Sequence, residues 1–169
     1  MESTYINQIF ALIYVVIIAY AVVSDYMRTI IPNWCSIALV VEFLLFSIVF
    51  LTLNEFAWNL LLCAIVFSLG IGFYAFGWFG GGDVKLLTAV MFWAGPAKGL
   101  IFVLSMSAIG LVIAVGIITL RRVLKFFPNL FSNSELLRRP IAWVEEGAFP
   151  YGIAIGAGAL VIGPAIFFP

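Results

Sequence analysis

The sequence predicts an all-α fold, a polytopic membrane helix bundle with about six transmembrane helices, the fourth of them short. Three observations carry that expectation. The 169 residues are 65% hydrophobic, include seventeen phenylalanines and are only 9% charged, a composition remote from that of soluble domains. Mean hydropathy is +1.23. The apolar residues also fall into long runs, five of which approach the roughly 20 residues that a helix needs to cross a hydrocarbon core about 30 Å thick.

The first run, 5–23, has no Lys or Arg before it and no small-residue cleavage site after it, so it reads as a retained span and not a signal peptide. The segment Ser24 to Trp34, SDYMRTIIPNW, reads as a loop. Pro32 is disfavoured inside a helix and restricts Ile31 before it, and Asn33 is available to cap the helix that follows. The second run is 34–53 and the third 56–79, the latter interrupted by Gly80, Gly81 and Gly82. Val84 to Ala94 is bounded by Asp83 before and Gly95-Pro96 after. At about 1.5 Å rise per residue it covers only about half the core. The fifth run is 99–120 and the last 148–168. Between them RRVLKFFPNLFSNSELLRRPIAWVEEG, residues 121–147, mixes Arg and Lys with Phe, Leu and Trp and reads as an interfacial amphipathic stretch. No internal repeat, low-complexity tract or second domain interrupts the chain, which reads as a single domain over 1–169.

With the N-terminus outside and six crossings, Arg28, Lys85, Arg121, Arg122, Lys125, Arg138 and Arg139 fall on or near the cytoplasmic side, and Lys98 alone falls opposite. That topology brings Asp25, after the first span, and Asp83, before the short one, to the same membrane border. They are the two aspartates of the chain.

What the chain lacks narrows its chemistry. Histidine is absent, which removes histidine general bases, Ser-His and Cys-His nucleophile pairs and the His-Glu-x-x-His zinc pattern. Cys35 and Cys63 stand alone in apolar runs, so they suggest core packing and neither a metal site nor a disulfide. No basic patch points to nucleic acid. The two aspartates stand out against this background. Asp83 has the form of a helix N-cap, but three preceding glycines clear side chains from its approach, which capping does not require and an extended peptide backbone does. Two carboxylates in one wet pocket repel, so one keeps its proton while the other ionises from a reference value near about 3.9. The ionised group takes a proton from water and the protonated one polarises a carbonyl or protonates the leaving amine, the division of labour of aspartic proteases. Neither cofactor nor metal is needed.

The motifs D-x6-P-N from Asp25 to Asn33, G-x-G-D-x-K from Gly80 to Lys85, and PYG at Pro150 to Gly152 resemble those of the type IV prepilin peptidases, most closely the short Flp or tight-adherence type. The resemblance spans nearly the whole chain in length and span count. It implies six membrane helices with Asp25 and Asp83 as the catalytic pair, and Gly80, Gly81, Gly82, Lys85, Pro32 and Asn33 as residues that bind substrate or shape the site. It implies as substrate a prepilin or pseudopilin with a short basic leader before a hydrophobic N-terminal helix in the bilayer, cut on the cytoplasmic side of the inner membrane. Larger members carry an N-terminal insert with paired Cys-x-x-Cys motifs and also N-methylate the product. This chain has neither the cysteine pairs nor room for the insert, so cleavage without methylation is expected.

Other residues read more plainly. Glu42, inside the second span, reads as helix packing, with a place in the substrate cavity as the alternative. Lys85 either snorkels to the headgroups or bends back to Asp83. Ser68 with Gly72 and Gly152 with Gly156 suggest close helix approach, and Tyr151 an interfacial anchor. Three rival functions share these features. The signal-peptide-peptidase and presenilin type also carries Gly-x-Gly-Asp, but it has a Tyr-Asp motif where Asp25 here follows Ser24. A cation-coupled transporter or channel component would use Asp25, Glu42 and Asp83. A non-catalytic subunit of a pilus assembly would leave the aspartates as loop residues.

Overall fold

The computed structural model describes residues 2–127 and 137–168. It contains α1 (Glu2–Arg28), α2 (Asn33–Phe50), α3 (Leu53–Ala75), α4 (Gly81–Phe126), α5 (Arg138–Glu146) and α6 (Tyr151–Phe167), with no strand among the described residues. The chain is an all-α membrane bundle: α1 to α4 are long and apolar enough to cross a membrane, and α6 is a shorter apolar helix.

Helix α4 is two antiparallel arms. Gly95, at φ 56° and ψ −172°, breaks the helix, and Pro96 follows it. Pro96 lacks the amide that would donate to the Phe92 carbonyl in a continuous helix. Asn59 of α3 takes over that bond, its Nδ2 donating to the Phe92 oxygen at 3.2 Å. Only glycine fits at the break, because a Cβ on Gly95 would run into Asn59 Oδ1. The chain then folds back: a Cβ on Gly99 would lie 3.0 Å from Met91 Sδ. The 96–126 arm runs antiparallel to α6, since Gly158 abuts Met106 while Gly110 abuts Ala154. The short 81–94 arm and the following span expected from sequence are therefore both present.

The ends of α3 lie a few residues before the expected 56–79. Thr52 starts it as the N-cap of a capping box: its Oγ1 accepts from Glu55 N at 3.3 Å, and Glu55 Oε2 accepts from Thr52 N at 2.8 Å. Gly77, at φ 72°, ends it. Its amide donates to Tyr74 O and that of Trp78 to Phe73 O, both at 2.9 Å, the paired bonds of a Schellman turn. The third span thus ends before the three consecutive glycines, and Gly80 becomes the N-cap of α4.

Lipid tails are as apolar as the helices, so association rests on close packing and interhelical hydrogen bonds. Helix α6 supplies a face of small residues between α1 and the 96–126 arm. A Cβ on Gly156 would overlap Val22 of α1, and one on Gly158 would lie 3.1 Å from Met106 N. The expected pairing of Gly152 with Gly156 as a packing face holds, but that of Ser68 with Gly72 does not. Gly72 has nothing within 4 Å of a Cβ built on it; Gly70, on another face of α3, is the glycine that packs, against Val84. Away from the aspartates an aromatic cluster ties four helices: Trp93 lies within 5.5 Å of the rings of Tyr14, Phe43, Phe46 and Phe167. Its Nε1 donates to Leu39 O at 2.9 Å and Tyr14 Oη donates to Ala159 O at 3.3 Å.

The polar connection is in part as expected. Helix α5 is amphipathic, with Trp143 buried and edge-on to Tyr26 at 5.3 Å, and Arg139 Nε donating to Tyr26 O at 3.2 Å. Residues 128–136 of that connection lie outside the described residues.

Two outcomes test this packing. Asn59→Leu leaves the Phe92 carbonyl without a donor and lowers stability by about 1–3 kcal/mol, read as a fall in Tm of the detergent-solubilised protein. Gly158→Ala presses on the Met106 backbone and costs about 1–3 kcal/mol, whereas Gly116→Ala, with nothing within 4 Å, leaves Tm unchanged or higher.

Candidate active site

Helix α1 does not stop where its apolar run stops. It continues to Arg28, so Asp25 is a helical residue and not part of a loop, the first correction to the sequence reading. Thr29, at φ 52°, turns the chain out of the helix while its amide donates to Asp25 O at 2.8 Å. Ser24 Oγ donates to Ile30 O at 2.8 Å and closes the turn. Pro32 is then the N-cap of α2, with extended φ −63° and ψ 136°. Asn33 is the first helical residue and does not cap, the second correction, because Pro32 already occupies the cap position.

Asp25 is buried at 3% exposure and faces the N-terminus of α6. Its Oδ2 accepts from Ile153 N at 3.2 Å, with the Gly152 amide also directed at the carboxylate. Free amides and the helix dipole make such an end a natural seat for negative charge. The approach demands glycine: a Cβ at 152 would lie 2.8 Å from Asp25 Cγ and 2.7 Å from Ile31 Cδ1.

Asp83 is the third residue of α4 after the N-cap Gly80, and not itself the cap. Its Oδ2 accepts from Gly80 N at 3.0 Å. The three glycines differ in what they admit. A Cβ on Gly80 would lie 2.9 Å from Asp83 Oδ2, and one on Gly82 would lie 3.2 Å from both Cβ and O of Ile31. Gly81 has room, its nearest neighbour being the Tyr74 ring at 3.7 Å. Ile31 is therefore wedged between Gly82 of α4 and Gly152 of α6. Across that wedge Asp25 and Asp83 stand close enough to interact electrostatically.

Lys85 neither snorkels free nor bends back to Asp83. Exposed two residues along α4, it donates to Asn33 Oδ1 at 2.9 Å and links α4 to the start of α2. Glu42 lies elsewhere, buried against Tyr14 of α1. It is nine residues along α2 from Asn33, or about 13 Å of helix rise.

The sequence reading left out Ile31 and the amides of Gly152 and Ile153. The signal was present in PYG: a proline stops one element and a glycine in the next helical turn leaves its amides bare. Tyr151, read as an anchor, is half-buried with its ring 4.9 Å from Phe79 and 4.3 Å from Phe149. At this same end lie Arg28, Lys85 and α5, and the 96–126 arm carries Arg121, Arg122 and Lys125 beyond the level of Ala154. Two carboxylates near enough to repel, each accepting from a backbone amide, favour one protonated and one ionised member, the division that acid and base roles require.

No curated protein and no solved structure matches the chain. The model of the type IV leader peptidase family matches residues 12–115, a stretch that contains both aspartates and the glycines before Asp83. The match covers more than half of the sequence, and the chain, a multi-pass membrane protein with a peptidase's family signature, belongs to the type IV leader peptidase family.

Proposed function

We propose that this peptidase is an aspartic endopeptidase that removes the short basic leader of Flp-like prepilins at the cytoplasmic border of the inner membrane, with Asp25 and Asp83 as the catalytic pair. The observation that carries the reading is the convergence of the two carboxylates at one end of the bundle, each accepting a backbone amide. The N-terminus lies outside in this reading. The basic residues gathered at the aspartate end support it, since cytoplasmic ends of membrane helices are rich in Lys and Arg.

In the reaction one aspartate, ionised, takes a proton from the attacking water as its oxygen bonds to the scissile carbonyl carbon. The other, protonated, hydrogen-bonds to the carbonyl oxygen. Collapse of the tetrahedral intermediate breaks the C–N bond as a proton passes to the leaving amine. The pair titrates as a unit, so the two roles belong to the couple. Gly80 leaves room for the Asp83 carboxylate and Gly82 for Ile31, and Lys85 with Asn33 borders the site on the α2 side. A substrate anchored in the bilayer brings its scissile bond to a constant depth, which turns encounter into positioning. The product amine stays unmethylated.

Co-expression with a Flp-type prepilin tests the reading directly. Mature pilin with an unmethylated N-terminus is expected by mass spectrometry, and Asp25→Asn or Asp83→Asn lowers the rate at least about 100-fold. Processing undiminished by either substitution removes the catalytic assignment. Gly152→Ala, which displaces the Asp25 carboxylate, is expected to lower kcat about 100-fold with KM little changed. Steady-state kinetics on the purified variant reads both.

A further inference from the structure

Helices α2 and α3 are joined by Leu51 and Thr52 alone, yet they part company beyond that link. Helix α2 packs on α1 and α4, whereas α3 packs on α4. Between them an open cavity of about 400 Å3 lies along the 81–94 arm. Its upper end is the Lys85–Asn33 hydrogen bond, two residues from Asp83. Below that end the walls are mainly apolar: Ile37, Val40 and Val41 from α2 beside Ser36, Phe67 from α3, and Ala89 from the floor. Thr88, the polar side chain of the floor, spends its hydroxyl on Val84 O at 2.7 Å. From Asn33 to Val41 the groove runs about 12 Å down the bundle axis.

We propose that this groove receives one face of the substrate's hydrophobic helix, entering sideways from the bilayer between α2 and α3. The inference rests on the peptidase reading above. A chain cut at the aspartate pair and anchored in the membrane must leave the site within a residue or two and descend along the enzyme. The groove begins at Lys85 and Asn33, at the end of the bundle where the aspartates lie, and its exposed lining leaves it open along its length, on the path that an anchored chain takes away from the site. Its size suits that occupant. A whole helix about 10 Å across does not fit, but the side chains of one face, repeating every three to four residues, do. Exposed Ile37, Val41 and Phe67 offer large apolar contacts and no charge, as a hydrophobic helix requires.

The test places a photoreactive benzoylphenylalanine at Ile37, Val41 or Phe67, and at lipid-facing Val112 as control, in full-length enzyme carrying Asp83→Asn so that substrate stays uncut. Irradiation in membranes with a co-expressed Flp-type prepilin is expected to give an enzyme–prepilin adduct at 37, 41 and 67 and none at 112. Adducts to lipid alone, or equal yields at 112, overturn the inference. A second measurement uses active enzyme. Val41→Trp is expected to raise KM for the anchored prepilin about tenfold while kcat stays within about twofold. An unchanged KM overturns the proposal, as does a loss confined to kcat. If unmodified enzyme does not process the prepilin at all, the peptidase reading fails; if processing proceeds without groove adducts, only the docking inference fails.

Discussion

The wedge of Ile31 between Gly82 and Gly152 is the contact on which the rest of the site depends. Two helix beginnings approach one buried side chain closely: a Cβ on Gly152 would lie 2.7 Å from Ile31 Cδ1 and one on Gly82 3.2 Å from Ile31 Cβ, so a side chain at either position would press on Ile31. Both α4 and α6 start beside Ile31, and each carboxylate accepts from an amide at one of those starts, Asp83 from Gly80 and Asp25 from Ile153. Like charges are thereby held together at positions where partial positive charge offsets their repulsion.

Contacts away from the aspartates fix the length of the short arm. Gly95 and Pro96 stop the 81–94 arm after about four turns, and Asn59 secures the stop. Trp93, beside the break, is locked among Tyr14, Phe43, Phe46 and Phe167. The 81–94 arm, about 21 Å long by its rise, is too short to cross about 30 Å of hydrocarbon by itself.

The small-residue face of α6 serves both purposes. Toward α1 and the 96–126 arm its glycines allow the close packing that takes the place of a hydrophobic drive inside a bilayer. At its first turn the same absence of side chains exposes amides to Asp25. One compositional habit thus yields a packing surface along the helix and an anion seat at its end.

Much of this was legible in the linear sequence. Hydropathy and run length dictated a helical bundle, and Gly95-Pro96 marked the short arm, because these follow from backbone chemistry and the thickness of a membrane. The two aspartates stood out because charge is so scarce. Boundaries were less legible: α1 runs through Asp25 to Arg28, since a polar residue at a membrane border does not itself end a helix. Asn33 looked like a cap and instead binds Lys85, a partner 52 residues away. By itself, then, the sequence determined the spans, the break and the identity of the two acids. Tertiary structure alone decided that Ile31 joins them, that Gly152 and Ile153 hold Asp25, and that α2 and α3 part beside the site. These are meetings of residues distant along the chain, and local propensity carries no record of them.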